Sequence, residues 1–205
     1  NSFQGYYRIG DRIVVGEVFG DVYKIDFLTT TVWEVGAPYR PGFVQAEQPT
    51  GRLVTFPNNE VLAGTIINLT RDFPYVWDEL AIQITNESDM HLALSAMEKA
   101  TNQLLGQQMI QPSRTYSEIL IKAGLDFENV PEKPQVFLSI NESWTDVVVR
   151  YLVHARERRK WKSRLVLDIW EELNREEYKG KVKAAYSRHQ IEMISMTGSA
   201  KKFGM

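Results

Sequence analysis

The sequence predicts an α+β protein in which a small barrel of short strands precedes a two-layer α/β plait and a C-terminal strand. Residues 5–70 carry short runs of β-branched and aromatic residues that glycine and proline interrupt, which is typical of a small closed barrel. From Tyr75 onward the apolar patterns follow the order strand, helix, strand, strand, helix, strand. That order is typical of a ferredoxin-like plait.

The first 70 residues show where the predicted strands begin and end. Residues 13–15 form an apolar run, and residues 22–35 are rich in Thr, Val, Tyr and Trp. A further strand leads into Pro57-Asn58-Asn59. Proline fixes φ and asparagine tolerates a positive φ, so this run predicts a tight turn with a structural role.

An ordered set of motifs runs through these strands: G-D-R-I, G-x-V-x-x-I, F-P-N-N and I-x-N. The set resembles the small-conductance mechanosensitive channel family, in which it belongs to an Sm-like β-barrel domain behind the pore helix. Two features depart from the family: Tyr6-Tyr7 replaces a usual Pro-Phe pair, and residues 34–51 predict an enlarged hairpin loop. The matching residues are Gly10, Asp11, Arg12, Ile13, Gly20, Val22, Ile25, Pro57, Asn58 and Asn68.

The resemblance implies the cytoplasmic vestibule of a tension-gated channel that passes ions and small osmolytes. It implies a homoheptamer in the inner membrane, with membrane helices before residue 1 and this portion on the cytoplasmic side. It implies neither an enzyme nor a cofactor. The expected division is an Sm-like β-domain at 1–71, a plait at 72–186, and a C-terminal strand with a tail at 187–205.

Composition limits the chemistry that the chain supports. The 205 residues include no cysteine, which excludes disulfides and thiolate chemistry. No apolar run approaches the length of a membrane helix, so we expect this portion to be soluble. The three histidines are scattered, and neither Gly-x-Ser-x-Gly nor a P-loop occurs. We therefore predict neither a metal site nor a catalytic residue.

The second half predicts two helices and a hairpin. The first helix is expected near residues 86–108, with Asn86 or Ser88 as its N-cap. Residues 112–134 are expected to be a connection with its own small helix, closed by Gly124. A hairpin at 135–154 and a helix at 156–177, ended by Gly180, follow. Adjacent carboxylates such as Asp78 and Glu79 are interpreted as solvated.

A basic run near the start of the last helix is the sharpest charge feature. Residues 156–205 hold 13 Lys and Arg against 7 Asp and Glu. Two interpretations stay open: a solvated helix face, or an electrostatic surface that pairs with a neighbouring subunit or lines an ion vestibule. The basic residues are Arg156, Arg158, Arg159, Lys160, Lys162 and Arg164.

The last strand, residues 189–195, places Ile191 and Met193 on one face. The resemblance implies that copies of this strand form a small parallel barrel on the symmetry axis, so these two residues are candidates for an oligomer interface.

An oligomeric RNA-binding or scaffold protein on an Sm-like barrel is the alternative. The strand TDVVVRYLVHA lacks the aromatic pattern of RNA-binding plaits, and the acidic first 155 residues oppose phosphate binding. We therefore predict no nucleic-acid partner.

Overall fold

Two antiparallel sheets organise the protein in a computed structural model that describes residues 5–37, 47–125 and 130–185. The first sheet has the order β4-β3-β2-β1-β5. We call residues 5–37 and 47–71 the β-unit. Its elements are β1 (Arg12–Val15), β2 (Val18–Ile25), β3 (Thr29–Val35), β4 (Pro49–Pro57), α1 (Asn59–Ala63) and β5 (Ile66–Asn68).

The strands of the β-unit pack around a small apolar core that includes Ile13, Val32 and Phe56. Gly20 is required by close packing, because a Cβ there would lie 2.4 Å from the carbonyl oxygen of Trp33 on β3. Within the described residues, β4 and β5 are the two edges of this sheet and do not pair with each other. The sheet is thus seen as open, and the predicted closure into a barrel is not seen.

The second sheet has the order β6-β8-β7, the arrangement of the first three strands of a plait. Its strands and helices confirm the predicted α+β class and the predicted hairpin. We call residues 72–125 and 130–185 the α/β unit. Its elements are β6 (Tyr75–Ile84), α2 (Met90–Thr101), a π-helical turn (Asn102–Gly106), α3 (Gln107–Lys122), β7 (Gln135–Ile140), β8 (Thr145–His154) and α4 (Arg158–Leu173).

The end of the described chain returns to the sheet. Ala184 forms an antiparallel bridge with Ile84 on the outer edge of β6, where a plait places its fourth strand. The predicted strand at 189–195 lies outside the described residues.

Helices α2 and α3 continue into each other through the π-helical turn. Pro112 therefore lies inside a helix, and the prediction that residues 112–134 form a connection with its own small helix is wrong. An interior proline costs about 3 kcal/mol in a helix. Here Met109, Pro112 and Leu120 are buried, so tertiary packing holds the helix through the proline. Gly124, with φ +73, follows the helix end as predicted.

Two predicted helix ends are also corrected. The side chain of Asp89, rather than Asn86 or Ser88, caps α2 by accepting a hydrogen bond from the Leu92 amide at 3.0 Å. Ser88 is instead buried, and its hydroxyl accepts from the Lys183 amide at 3.0 Å. Helix α4 ends at Leu173, well before Gly180, because the chain then turns to bury Tyr178 in the unit.

Hydrogen bonds of its side chain, rather than an unusual backbone conformation, explain the structural role of Asn58. Its φ is −66°, so the positive φ that asparagine tolerates is not used. The buried side chain accepts from the Thr30 hydroxyl at 2.7 Å and donates to the carbonyls of Asp26 at 3.0 Å and Phe27 at 3.2 Å. It thereby ties the β2–β3 turn to the end of β4.

We predict that Asn58→Val destabilises the protein by about 2 kcal/mol, because it leaves the buried Thr30 hydroxyl and two carbonyls without these bonds. Asn59→Val is the matched control, because Asn59 is an exposed neighbour in α1. It should cost less than about 1 kcal/mol. Urea unfolding measures both, and equal losses would contradict the role assigned to Asn58.

Candidate functional site

The motif residues of the β-unit converge although they are far apart in the sequence. Gly10 has φ +93, which turns the chain into Asp11. One carboxylate oxygen of Asp11 accepts from the Arg8 amide at 2.9 Å and from the Asn68 side chain at 2.8 Å, across 57 positions. The side-chain oxygen Oδ1 of Asn68 accepts hydrogen bonds from the backbone amides of Thr70 and Arg71. These bonds fix the chain as it leaves β5.

Arg12 forms the charged part of the same network. It is only 4% exposed, and its guanidinium donates two hydrogen bonds to Asp21, at 2.9 and 2.8 Å. This fork geometry is the strong form of an arginine–carboxylate pair. Asp21 faces Arg12 directly across the β1–β2 ladder, so the register of the two strands sets the pair.

The α/β unit contacts this network through Arg156. Its Nε lies 3.4 Å from Asp21 Oδ1, and its Nη2 donates to the Gly10 carbonyl. The turn before α4 is held in place by the Ala155 amide, which donates to the Pro74 carbonyl at 2.9 Å. We call these residues the polar junction: Gly10, Asp11, Arg12, Asp21, Asn68 and Arg156.

A second charged cluster lies within the α/β unit around Asp78, which is 6% exposed. Its carboxylate accepts from Arg158 at 2.9 Å, from Lys162 at 3.3 Å and from the Tyr151 hydroxyl at 3.1 Å. The sequence predicts a solvated Asp78, and this prediction is wrong because the carboxylate is buried and paired. It shares a strand face with Leu80 and Ile82, and this alternation was the signal in the sequence that Asp78 points inward.

The environment keeps Asp78 ionised. Burial raises its pKa, but the hydrogen bond and charge of Arg158 and the charge of Lys162 outweigh it, so the pKa is lowered overall. Burial and then the negative charge of Asp78 raise the pKa of Tyr151, which remains a neutral donor. The cluster is therefore a fixed set of charges rather than a proton relay.

The remaining basic residues of α4 are mostly paired within the chain. Lys160 contacts Glu157 at 3.2 Å, and Arg164 contacts Asp168 at 2.9 Å. With the pairs of Arg156, Arg158 and Lys162, five of the six predicted cations have acidic partners in their own subunit. Arg159 is exposed. The vestibule role of the basic run stays a prediction, and Ile191 and Met193 lie outside the described residues.

In the described ranges, no group of three or more His, Asp or Glu side chains is arranged to hold a metal ion. None of the helices in this part of the chain is both long and apolar enough to cross a bilayer. What the site offers is electrostatic: it fixes the β-unit to the α/β unit through paired charges.

We predict that Asp78→Asn destabilises the protein by about 2 kcal/mol at neutral pH, because Arg158 and Lys162 lose their countercharge. The folded pKa of Asp78 lies below its unfolded value of about 3.9. Its contribution is therefore complete above the unfolded pKa and is lost as the pH falls through the folded pKa.

Urea unfolding of both proteins should thus give a stability difference that is constant from pH 7 to about pH 5 and narrows below about pH 4. Glu79→Gln is the control, because Glu79 is exposed and points to the other face of β6. It should change stability by less than about 0.5 kcal/mol. A difference for Asp78→Asn that does not depend on pH would contradict the ionised cluster.

Comparison with known proteins adds to this geometry. Residues 1–36 match the family model described as mechanosensitive ion channel, beta-domain. No curated protein matches the chain by sequence.

Solved structures share the fold. MscS of Helicobacter pylori in its closed state has 14% sequence identity and a TM-score of 0.64, over 95% of this chain and 62% of that chain. Wild-type MSL1 of Arabidopsis thaliana has 15% identity and a TM-score of 0.54, over 91% of this chain and 53% of that chain. A point variant of MSL1 has 15% identity and a TM-score of 0.55, over 91% and 57%. This chain therefore spans less than two thirds of each relative.

The family match covers Gly10 and Asp11, which precede β1, together with Arg12 in β1 and Gly20 in β2, and the fold shared with MscS extends over 95% of this chain. The family match bears out the predicted resemblance to the small-conductance mechanosensitive channel family over residues 1–36, and the solved structures show that the fold is shared.

Proposed function

We propose that this chain is the cytoplasmic vestibule portion of a tension-gated mechanosensitive channel, which supports oligomer assembly and the passage of ions and small osmolytes. The observation that carries the proposal is the family match over residues 1–36, since this range contains Gly10, Asp11, Arg12 and Asp21 of the polar junction. The family matched is one of channels and is not a class of enzymes. The work proposed is a conformational change without a covalent step.

In this proposal the protein is a homoheptamer in the inner membrane. Membrane helices precede residue 1, and the portion described here lies on the cytoplasmic side. The proposed division is a β-domain at 1–71, a plait at 72–186 and a C-terminal strand with a tail at 187–205. The polar junction then keeps the β-domain and the plait at a fixed angle while force reaches them from the membrane.

The exposed cations of α4 are proposed to set the charge of the vestibule. Arg159, Lys160 and Arg164 are exposed, so their fields act on the surrounding water. Arg158 and Lys162 pair with the buried Asp78, and Arg156 pairs with the partly buried Asp21, so these three cations contribute mainly to the fold. Permeating anions would therefore meet a weakly attractive surface that salt screens.

We predict that the complete gene product, reconstituted in liposomes, gives ion currents that appear with membrane tension. Patch recording under graded suction measures this, and liposomes without the protein are the control. The RNA-binding alternative predicts retention of single-stranded RNA in a gel shift at low salt. RNA retention without tension-dependent current would contradict the channel proposal.

We further predict that the 205-residue chain forms a ring-sized species in light scattering, which deletion of residues 187–205 weakens. The reason is the proposed barrel of C-terminal strands, filled by Ile191 and Met193. Circular dichroism should show that the β-unit and the α/β unit stay folded. A grossly unfolded truncation would place the strand in its own subunit's sheet. An assembly of undiminished heat stability would contradict the barrel.

A further inference from the structure

The outer edge of β7 is apolar and uncharged. The strand reads QVFLSI, and within the described residues it pairs only with β8. Phe137 is 48% exposed and Ile140 is 76% exposed. Natural proteins protect free strand edges with charges, proline or bulges, and an uncharged apolar edge invites pairing with another chain. We call Phe137, Leu138, Ile140 and Trp144 the β7 edge patch.

The opposite edge of the same sheet, beside β6, has an apolar groove. It lies between β6 and α4 and has a volume of about 280 Å³. Trp170, on its α4 wall, is 61% exposed, so a large apolar surface is accessible at the groove. We call this the α4 groove, and its main lining residues are Ile82, Val166, Trp170, Leu173 and Val182.

The strand register places the β7 edge patch and the α4 groove at the same position along the strand direction. Ile140 on β7 lies opposite Thr145 on β8, which lies opposite Ile84 on β6. Ile84 in turn forms a bridge with Ala184, a residue of the groove. Residues directly opposite each other point to the same face, so Leu138, Ile140 and Ile84 share the face that carries α4. Phe137 points to the other face and contributes to the patch at the strand edge.

The charges at the two rims are of opposite sign. Glu142 is exposed in the loop that follows β7, between Ile140 and Trp144 of the β7 edge patch. Lys183 is exposed and lines the α4 groove. When two copies are placed side by side with their sheets at one level, the acidic rim of the first meets the basic rim of the second.

We propose that the β7 edge patch of one copy packs into the α4 groove of the next copy. The inference rests on the proposed homo-oligomer and names the surfaces that build it. Two different patches on opposite edges give a head-to-tail contact, and such contacts produce rings when the rotation closes. Because both patches lie at one level, rotation about an axis along the strands brings them together without a rise. A contact without a rise permits a closed ring and disfavours a helical filament.

The chain has no cysteine, so introduced thiols test the contact directly. The double variant Ile140→Cys with Trp170→Cys should give a ladder of covalent oligomers with a short bifunctional thiol reagent. Each single variant alone should give no cross-linked species. A mixture of the two single variants should give dimers only, because each contact then joins one patch to one groove.

Cross-linking of Ile140→Cys with itself would overturn the proposal, because it indicates a symmetric β7–β7 contact. An absence of cross-links in every variant would overturn it too, as expected if residues 186–205 of the same chain cover the groove. If light scattering still shows a ring in that case, the homo-oligomer stands and only these surfaces are wrong. The tension recording on the complete gene product tests the channel proposal independently of this result.

A charge in the β7 edge patch gives a second measurement. Ile140→Asp should weaken self-association roughly tenfold or more, because the contact would bury an unpaired carboxylate. Ile121→Asp is the matched control, since Ile121 is 68% exposed near the end of α3 and lies outside both surfaces. It should leave self-association unchanged. Equal weakening by both variants, or none by Ile140→Asp, would contradict the assigned surface.

Discussion

The carboxylate of Asp21 is shared between the two halves of the structure. Asp21 binds the buried Arg12 of its own sheet in a fork, and Arg156 approaches the same carboxylate from the α/β unit. A buried arginine without its countercharge costs several kcal/mol, so Arg12 requires Asp21 wherever the rest of the chain lies. Arg156 is more exposed and contributes less by itself. The shared carboxylate nevertheless makes the position of α4 depend on the register of β1 and β2.

The same reasoning explains why so many acidic residues surround the start of α4. Six cations in and just before the first turns of a helix oppose the positive end of its dipole. The fold offsets this with carboxylates from different elements: Asp21 from β2, Asp78 from β6 and Glu157 from the turn before the helix. Arg158 also lies 3.6 Å from Glu47 of the β-unit. The basic run therefore organises the contacts of α4 as well as its outer surface.

Sequence reasoning succeeded where the pattern is local and failed where distant packing decides. The hairpin of β7 and β8 has strong alternation and a short loop, so its residues could be predicted correctly. The helix through Pro112 could not, because its stability depends on burial against a sheet that the local sequence does not reveal. Asn58 was recognised as a turn residue, but its bonds reach Thr30 and Phe27, which only the folded chain brings near. Asp78 is the instructive case, since its alternation with Leu80 and Ile82 was visible and its charge alone suggested solvent.

The free strand edges differ in a way that bears on assembly. β4 has proline at both ends and the charged Arg52 between them, and β5 is only three residues long. β6 contains Asp78 and Glu79 and is bridged at its end by Ala184. These are the means by which proteins prevent unwanted strand pairing. Among the edges in the described part of the chain, β7 has neither charge nor proline, and it follows Pro134 without a bulge in its ladder with β8. The β7 edge is unprotected while the other strand edges are protected. This difference is expected if a specific partner pairs with or packs against β7.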